Sequence, residues 1–142
     1  MKIFLKQSKL YLIGILLSTA GFAETIYISP SEDPYTEIQE ALILANPGDI
    51  VHLSSGLYEL EDSLSIDVRN IVLEGDGMNE TVLSFKNQLS GAQGLSVTSD
   101  NVILRDFAIE NAKGDAIKVK GVDGISFIRV RTEWTGGPSS EN

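Results

Sequence analysis

Lys118 and Lys120 alternate with Ile117 and Val119, so on an extended strand both ammonium groups share one face and both aliphatic side chains the other. The same alternation sets Ser96 and Thr98 against Leu95 and Val97, and Ser65 and Asp67 against Leu64 and Ile66. If like strands stack on like, Asp67, Ser96, Thr98, Lys118 and Lys120 belong to one outward polar column that becomes basic at its lysines. Such a column has a chemistry. Its ammonium groups suit the carboxylates of a uronate polymer, and a lysine of lowered pKa can serve as base in β-elimination or epimerisation. The same residues also suit a strand face that is merely solvated. The pattern offers substrate-binding candidates and assigns no catalytic residue.

Other groups carry less. Asp67, Asp76, Asp106, Glu110, Asp115 and Asp123 have the oxygens calcium requires, but no EF-hand or nonapeptide calcium pattern orders them. Asp76, Asp115 and Asp123 lie beside glycines, where a short carboxylate commonly bonds nearby backbone. His52 is the single histidine and alternates outward between Val51 and Leu53, with no ligand set around it in sequence. Trp134, next to Glu133 and Gly136, suits either a sugar-stacking platform or the cover of a core edge. Asn70, Asn101 and Asn111 stand at breaks between apolar bursts, where a left-handed residue is needed and an amide can bond its neighbours.

The elements that must position these groups are short strands. Leu95–Thr98 matches Ile117–Lys120, Val102 and Leu104 match Ile125 and Phe127, and Phe107 matches Val130, at intervals of 22 and 23 residues. Alternation of period two means strands, and self-similarity at that interval means stacking in parallel, with Leu95 under Ile117, Val97 under Val119 and Leu104 under Phe127. The unit holds three bursts, as in "GLSVTS", "NVILRD" and "FAIEN". The fold expected is all-β, a right-handed parallel β-helix of about 22–23 residues per coil. An N-terminal capping helix over about 34–45 is expected from Asp33 as N-cap, Pro34 at the first position, and Tyr35, Ile38, Leu42 and Ala45 at helical spacing.

Residues 1–23 read as an export signal: Lys2, Lys6 and Lys9, then "LYLIGILL", then small Gly21 and Ala23. The apolar run is too short for the roughly 20 residues of a membrane span, so a chain cut near Ala23 is expected in the periplasm or secreted, with no transmembrane segment left. Losing three lysines takes the formal charge from −9 to −12. That acidity argues against nucleic acid, and the absence of cysteine excludes a disulfide scaffold or thiolate metal site. Residues 24–142 are then one domain, ending at "TEWTGGPSSEN" as the front part of a longer stack.

The order "TIYISP", helix, "PGDIVHLSSGLYEL", "NIVLEGDGMNETVLSF" resembles the entrance of the pectin-lyase-like β-helix superfamily. The stretch from Gly94 to Gly137 is similar to exported bacterial parallel β-helix repeat proteins of unassigned role. The resemblance implies binding groups outward on the first strand of each coil. It also implies an exported protein that binds a polysaccharide, with lyase, epimerase or hydrolase chemistry left open. The alternative is a non-catalytic envelope protein displaying its turns to a protein partner. The strings Gly-His-Gly, Arg-x-Lys and Asp-His-Leu of enzymes on that scaffold do not occur.

Overall fold

The computed structural model describes residues 21–136. The expected export signal lies outside the described residues except for its last three positions. Two strands flank the helix: β1 (Thr25–Ile28), α1 (Pro34–Leu44) and β2 (Ile50–Leu53). Then come β3 (Gly56–Glu59), β4 (Leu64–Ile66), β5 (Val72–Gly75), β6 (Thr81–Ser84), β7 (Leu95–Val97), β8 (Val102–Glu110), β9 (Ile117–Val119) and β10 (Ile125–Glu133).

These strands build two irregular sheets, and here the expectation of a repeating β-helix solenoid is corrected. One sheet has seven strands in the order β1-β2-β5-β8-β6-β3 with β10 also on β8; the other has three, β4-β7-β9. Every pairing is parallel, but the steps between partners are unequal. Thr25 pairs with Ile50, Ile50 with Val72, Val72 with Ile103 and Val102 with Ile125, steps of 25, 22, 31 and 23 residues. The interval seen in the last strands therefore does not run through the chain, because the loops around 76–80 and 86–94 both fall within the 31-residue step and the helix falls within the 25-residue one. The three-burst unit fails as well. "NVILRD" and "FAIEN" are one nine-residue strand, β8, in which Asp106 takes φ +60 so that the first half pairs with β5 and the second with β6. The likeness to the pectin-lyase-like superfamily and its bacterial repeat proteins, and the solenoid descriptors that came with it, fall with the fixed repeat.

Within the ladders, apolar residues sit on apolar partners. Val51, Leu73 and Leu104 form one buried column, Tyr58, Leu83 and Ile109 a second, and Leu64 with Leu95 and Ile66 with Val97 the short sheet's share. Each large aliphatic side chain so buried contributes about 1.5–3 kcal/mol. Gly75 is dictated by closeness, since a Cβ there would lie 2.5 Å from the Asp106 carbonyl and 2.6 Å from the Thr81 Cβ. Asn70, Asn101 and Asn111 adopt φ of 58°, 55° and 59° at the turns. The Asn111 amide bonds the next turn, accepting from Thr135 N at 2.7 Å and donating to Thr135 Oγ1 at 2.8 Å.

Helix α1 begins as its signals require, with Asp33 Oδ1 accepting from Thr36 N at 3.2 Å and Pro34 in the first turn. Pro34, Ile38, Ala41 and Leu42 face the core. Gln39 does something sequence spacing did not suggest: its Oε1 accepts from Ser65 N at 2.8 Å and its Nε2 donates to Ser65 O at 3.1 Å. One side-chain amide thus stands in for a neighbouring strand at the edge of β4, the kind of cover that keeps a sheet edge from pairing with another chain.

Val119 keeps the inward face expected of it but not the full burial. It pairs with buried Val97 but is itself 37% exposed, and Phe127 over buried Leu104 is 51% exposed, because among the described residues no further strand covers them. Val97→Asp, which puts a carboxylate between packed rungs, should cost several kcal/mol and lower the urea midpoint sharply. Val119→Asp should cost less than about 1 kcal/mol by the same measurement.

Candidate functional site

Two polar faces emerge. The first is the expected column. Ser65, Ser96 and Lys118 are successive register partners on β4, β7 and β9, strands whose backbones lie about 4.8 Å apart. Beside them Thr98 donates its hydroxyl to Asp67 Oδ1, and Lys120 N bonds Val97 O at 3.1 Å. Lys118 and Lys120 are both exposed, as are Thr98 and Asp67, while Ser96 is half-buried. The five sequence-predicted residues therefore share one face, with Asp67 already occupied by Thr98.

The second face was missed. Tyr27, His52, Glu74 and Arg105 are register partners on four consecutive strands. His52 Nδ1 lies 2.8 Å from Glu74 Oε1 and Nε2 lies 2.9 Å from Asp76 Oδ1, while Arg105 Nε lies 2.6 Å from Glu74 Oε2. The Tyr27 ring tilts against the imidazole at 5.2 Å between centroids. Asp76 is aimed by the turn below it, accepting from Ser55 N at 2.7 Å and Ser55 Oγ at 3.1 Å. That turn is fixed from inside. The Tyr58 hydroxyl, its pKa pushed up to about 12 chiefly by burial, donates to Ile28 O and Ser54 O, and Thr81 Oγ1 reaches Leu53 O.

Both imidazole nitrogens face carboxylates, so the doubly protonated ring satisfies both as a donor. Burial opposes that charge, but the bonds and charges of Glu74 and Asp76 outweigh it and raise the His52 pKa. Burial likewise works against ionised Glu74, and His52 with Arg105 overcomes it, lowering that pKa; Asp76 is lowered first by the Ser55 backbone bond. Both ring nitrogens of His52 are thus engaged by carboxylates within an ion-paired ladder. The sequence signal was available only in the pairing, since Glu74 follows His52 by 22 residues but Arg105 follows Glu74 by 31.

Two further carboxylates are paired with arginines. Asp106 takes a two-point contact from Arg129, which holds its pKa down, and Glu110 Oε1 pairs with Arg131 at 2.8 Å. Among the described residues no group of three or more His, Asp or Glu is gathered to hold a metal ion. Trp134, 56% exposed, lines a shallow groove with Ala112, Gly114, Ala116, Thr132 and Glu133 at the approach to β9. No helix among the described residues is long and apolar enough to cross a membrane.

Comparison with known proteins adds one similarity. The chain is 26% identical over 117 residues to an Arabidopsis thaliana protein described as "Putative pectinesterase/pectinesterase inhibitor 38", an alignment covering 70% of this chain and 24% of that protein. The chain thus spans about a quarter of the length of the curated relative it matches. No protein-family model matches the chain, and no solved structure matches it. The function expected of a β-helix scaffold is corrected here. The regular scaffold that carried the lyase, epimerase and hydrolase readings, and the envelope-display alternative, is replaced by two irregular sheets, and what similarity exists points only toward carbohydrate.

Stability should follow the ladder's two titrations. The raised His52 pKa contributes stability that is complete below its unfolded value of 6.5 and is lost as pH rises through the folded value. The lowered Glu74 pKa contributes stability present above 4.5 and lost as pH falls through the folded value. The network is therefore at full strength between 4.5 and 6.5. Glu74→Gln should lower stability in that window by about 1–3 kcal/mol in urea titrations, and the deficit should narrow as the pH is raised through the folded pKa of His52.

Proposed function

We propose that this chain is a carbohydrate-binding domain whose ligand is a partly esterified polyuronate of the pectin class, held at the face of Lys118 and Lys120. The observation that carries the reading is the register column Ser65, Ser96, Lys118, with Lys120 beside it. Hydroxyls at strand spacing suit sugar hydroxyls, and the ammonium groups suit scattered carboxylates. The similarity to a protein described as a pectinesterase/pectinesterase inhibitor supports the carbohydrate class. The acidic balance, −9 overall, favours a polymer with most of its carboxyls esterified over a fully ionised one, because the rest of the surface repels dense negative charge. Exposed Trp134 lies near the start of β9 and offers a ring to a sugar face.

Electrophoresis through gels containing partly esterified pectin tests this. The protein should be retarded there and not in an uncharged glucan gel, and Lys118→Glu with Lys120→Glu should weaken retention by about ten-fold, a loss of 1.4 kcal/mol. Retention unchanged by the double substitution, or no retention, would sink the reading. Methanol released from the gel polymer would replace it with ester hydrolysis.

A further inference from the structure

Asp49 is 4% exposed and carries a carboxylate whose two oxygens are both committed. Oδ2 accepts from Asn46 N at 2.7 Å, and Oδ1 accepts from Glu24 N at 2.9 Å. Among the described residues it takes part in no ion pair, although a buried carboxylate ordinarily has a cationic partner. Its partner Glu24 is also, among the described residues, the first held on both sides, since the Glu24 carbonyl accepts from Ile50 N at 2.8 Å. Immediately before it, Gly21, Phe22 and Ala23 are exposed and belong to no helix or strand, with Phe22 97% exposed. Gly21 and Ala23 are the small residues a signal peptidase requires one and three positions before its cut.

We propose that the chain is cut between Ala23 and Glu24 and that the new α-ammonium of Glu24 is the missing cationic partner of Asp49. Water adds across the Ala23–Glu24 amide under a signal peptidase, leaving a carboxylate on Ala23 and the amine, protonated, on Glu24. The nitrogen already lies at hydrogen-bond distance from Asp49 Oδ1, so no rearrangement is needed. Cleavage converts a neutral amide donor into a cationic one, so that the hydrogen bond to the Asp49 carboxylate becomes an ion pair at the place where β1 joins β2. The inference is independent of the carbohydrate reading.

Two measurements on the exported protein decide it. Terminal sequencing with intact mass should find Glu24 as the first residue. The chain beginning at Glu24 should then be compared with its α-N-acetylated form. The acetyl carbonyl takes the place of Ala23's, so the N–H contact to Asp49 stays and only the charge is lost. Acetylation should lower the urea midpoint, and Asp49→Asn should erase the difference between the two forms. Equal midpoints for free and acetylated chains, or a different first residue, would overturn the proposal. The acetylation comparison decides the matter even if Asp49→Asn does not fold.

Discussion

Parallel pairing is the constraint on which everything else in this molecule rests. A parallel ladder sets each residue beside one of the same orientation on the next strand, so a side chain that points inward must find an inward neighbour. Val51, Leu73 and Leu104 answer that demand in the core. Outside, the same rule forces polar residues into contact and makes their charges matter: His52 beside Glu74 beside Arg105 is tolerated because the signs alternate. The lysine face obeys the rule differently, placing neutral Ser96 next to Lys118 so that no two ammonium groups occupy adjacent rungs.

The turns must accommodate that ladder without a hairpin's geometry. Left-handed Asn70, Asn101 and Asn111 do so at a steric cost most residues cannot bear, and the side-chain amide recovers part of it by bonding the next turn, as at Asn111 and Thr135. Asp106 and Arg129 repeat the device inside strands. Both take positive φ, and their side chains are joined across β8 and β10, so two costly backbone conformations share one ion pair.

Much of this could be read in the chain, and the limits are instructive. Alternation exposed the pairs Leu95 with Ile117 and Leu104 with Phe127, and the capping chemistry of Asp33 and Pro34 marked the helix. What could not be read was the register between strands separated by loops of unequal length. The interval of 22 and 23 residues recurs from β7 to β10, whereas the step from β5 to β8 is 31, the excess lying in turns such as "GDGMNE" whose length alternation does not report. For the same reason His52 looked isolated, since its neighbours are assembled only once the registers are known. Val119 misled because alternation reports which face a residue occupies and not whether anything covers that face.

The unequal steps have a consequence for how such a chain can change over time. Because the ladders fix only the strands, residues 77–80 and 86–94 can differ in length without displacing the registers on either side. Closure entropy grows slowly, about 0.6 kcal/mol for each doubling of a loop, so insertions at these bends are cheap compared with a single misplaced core residue. The bends are therefore sites of evolutionary latitude on a conservative frame. New recognition chemistry can be grafted there while the paired strands, and the ion ladder they carry, stay as they are.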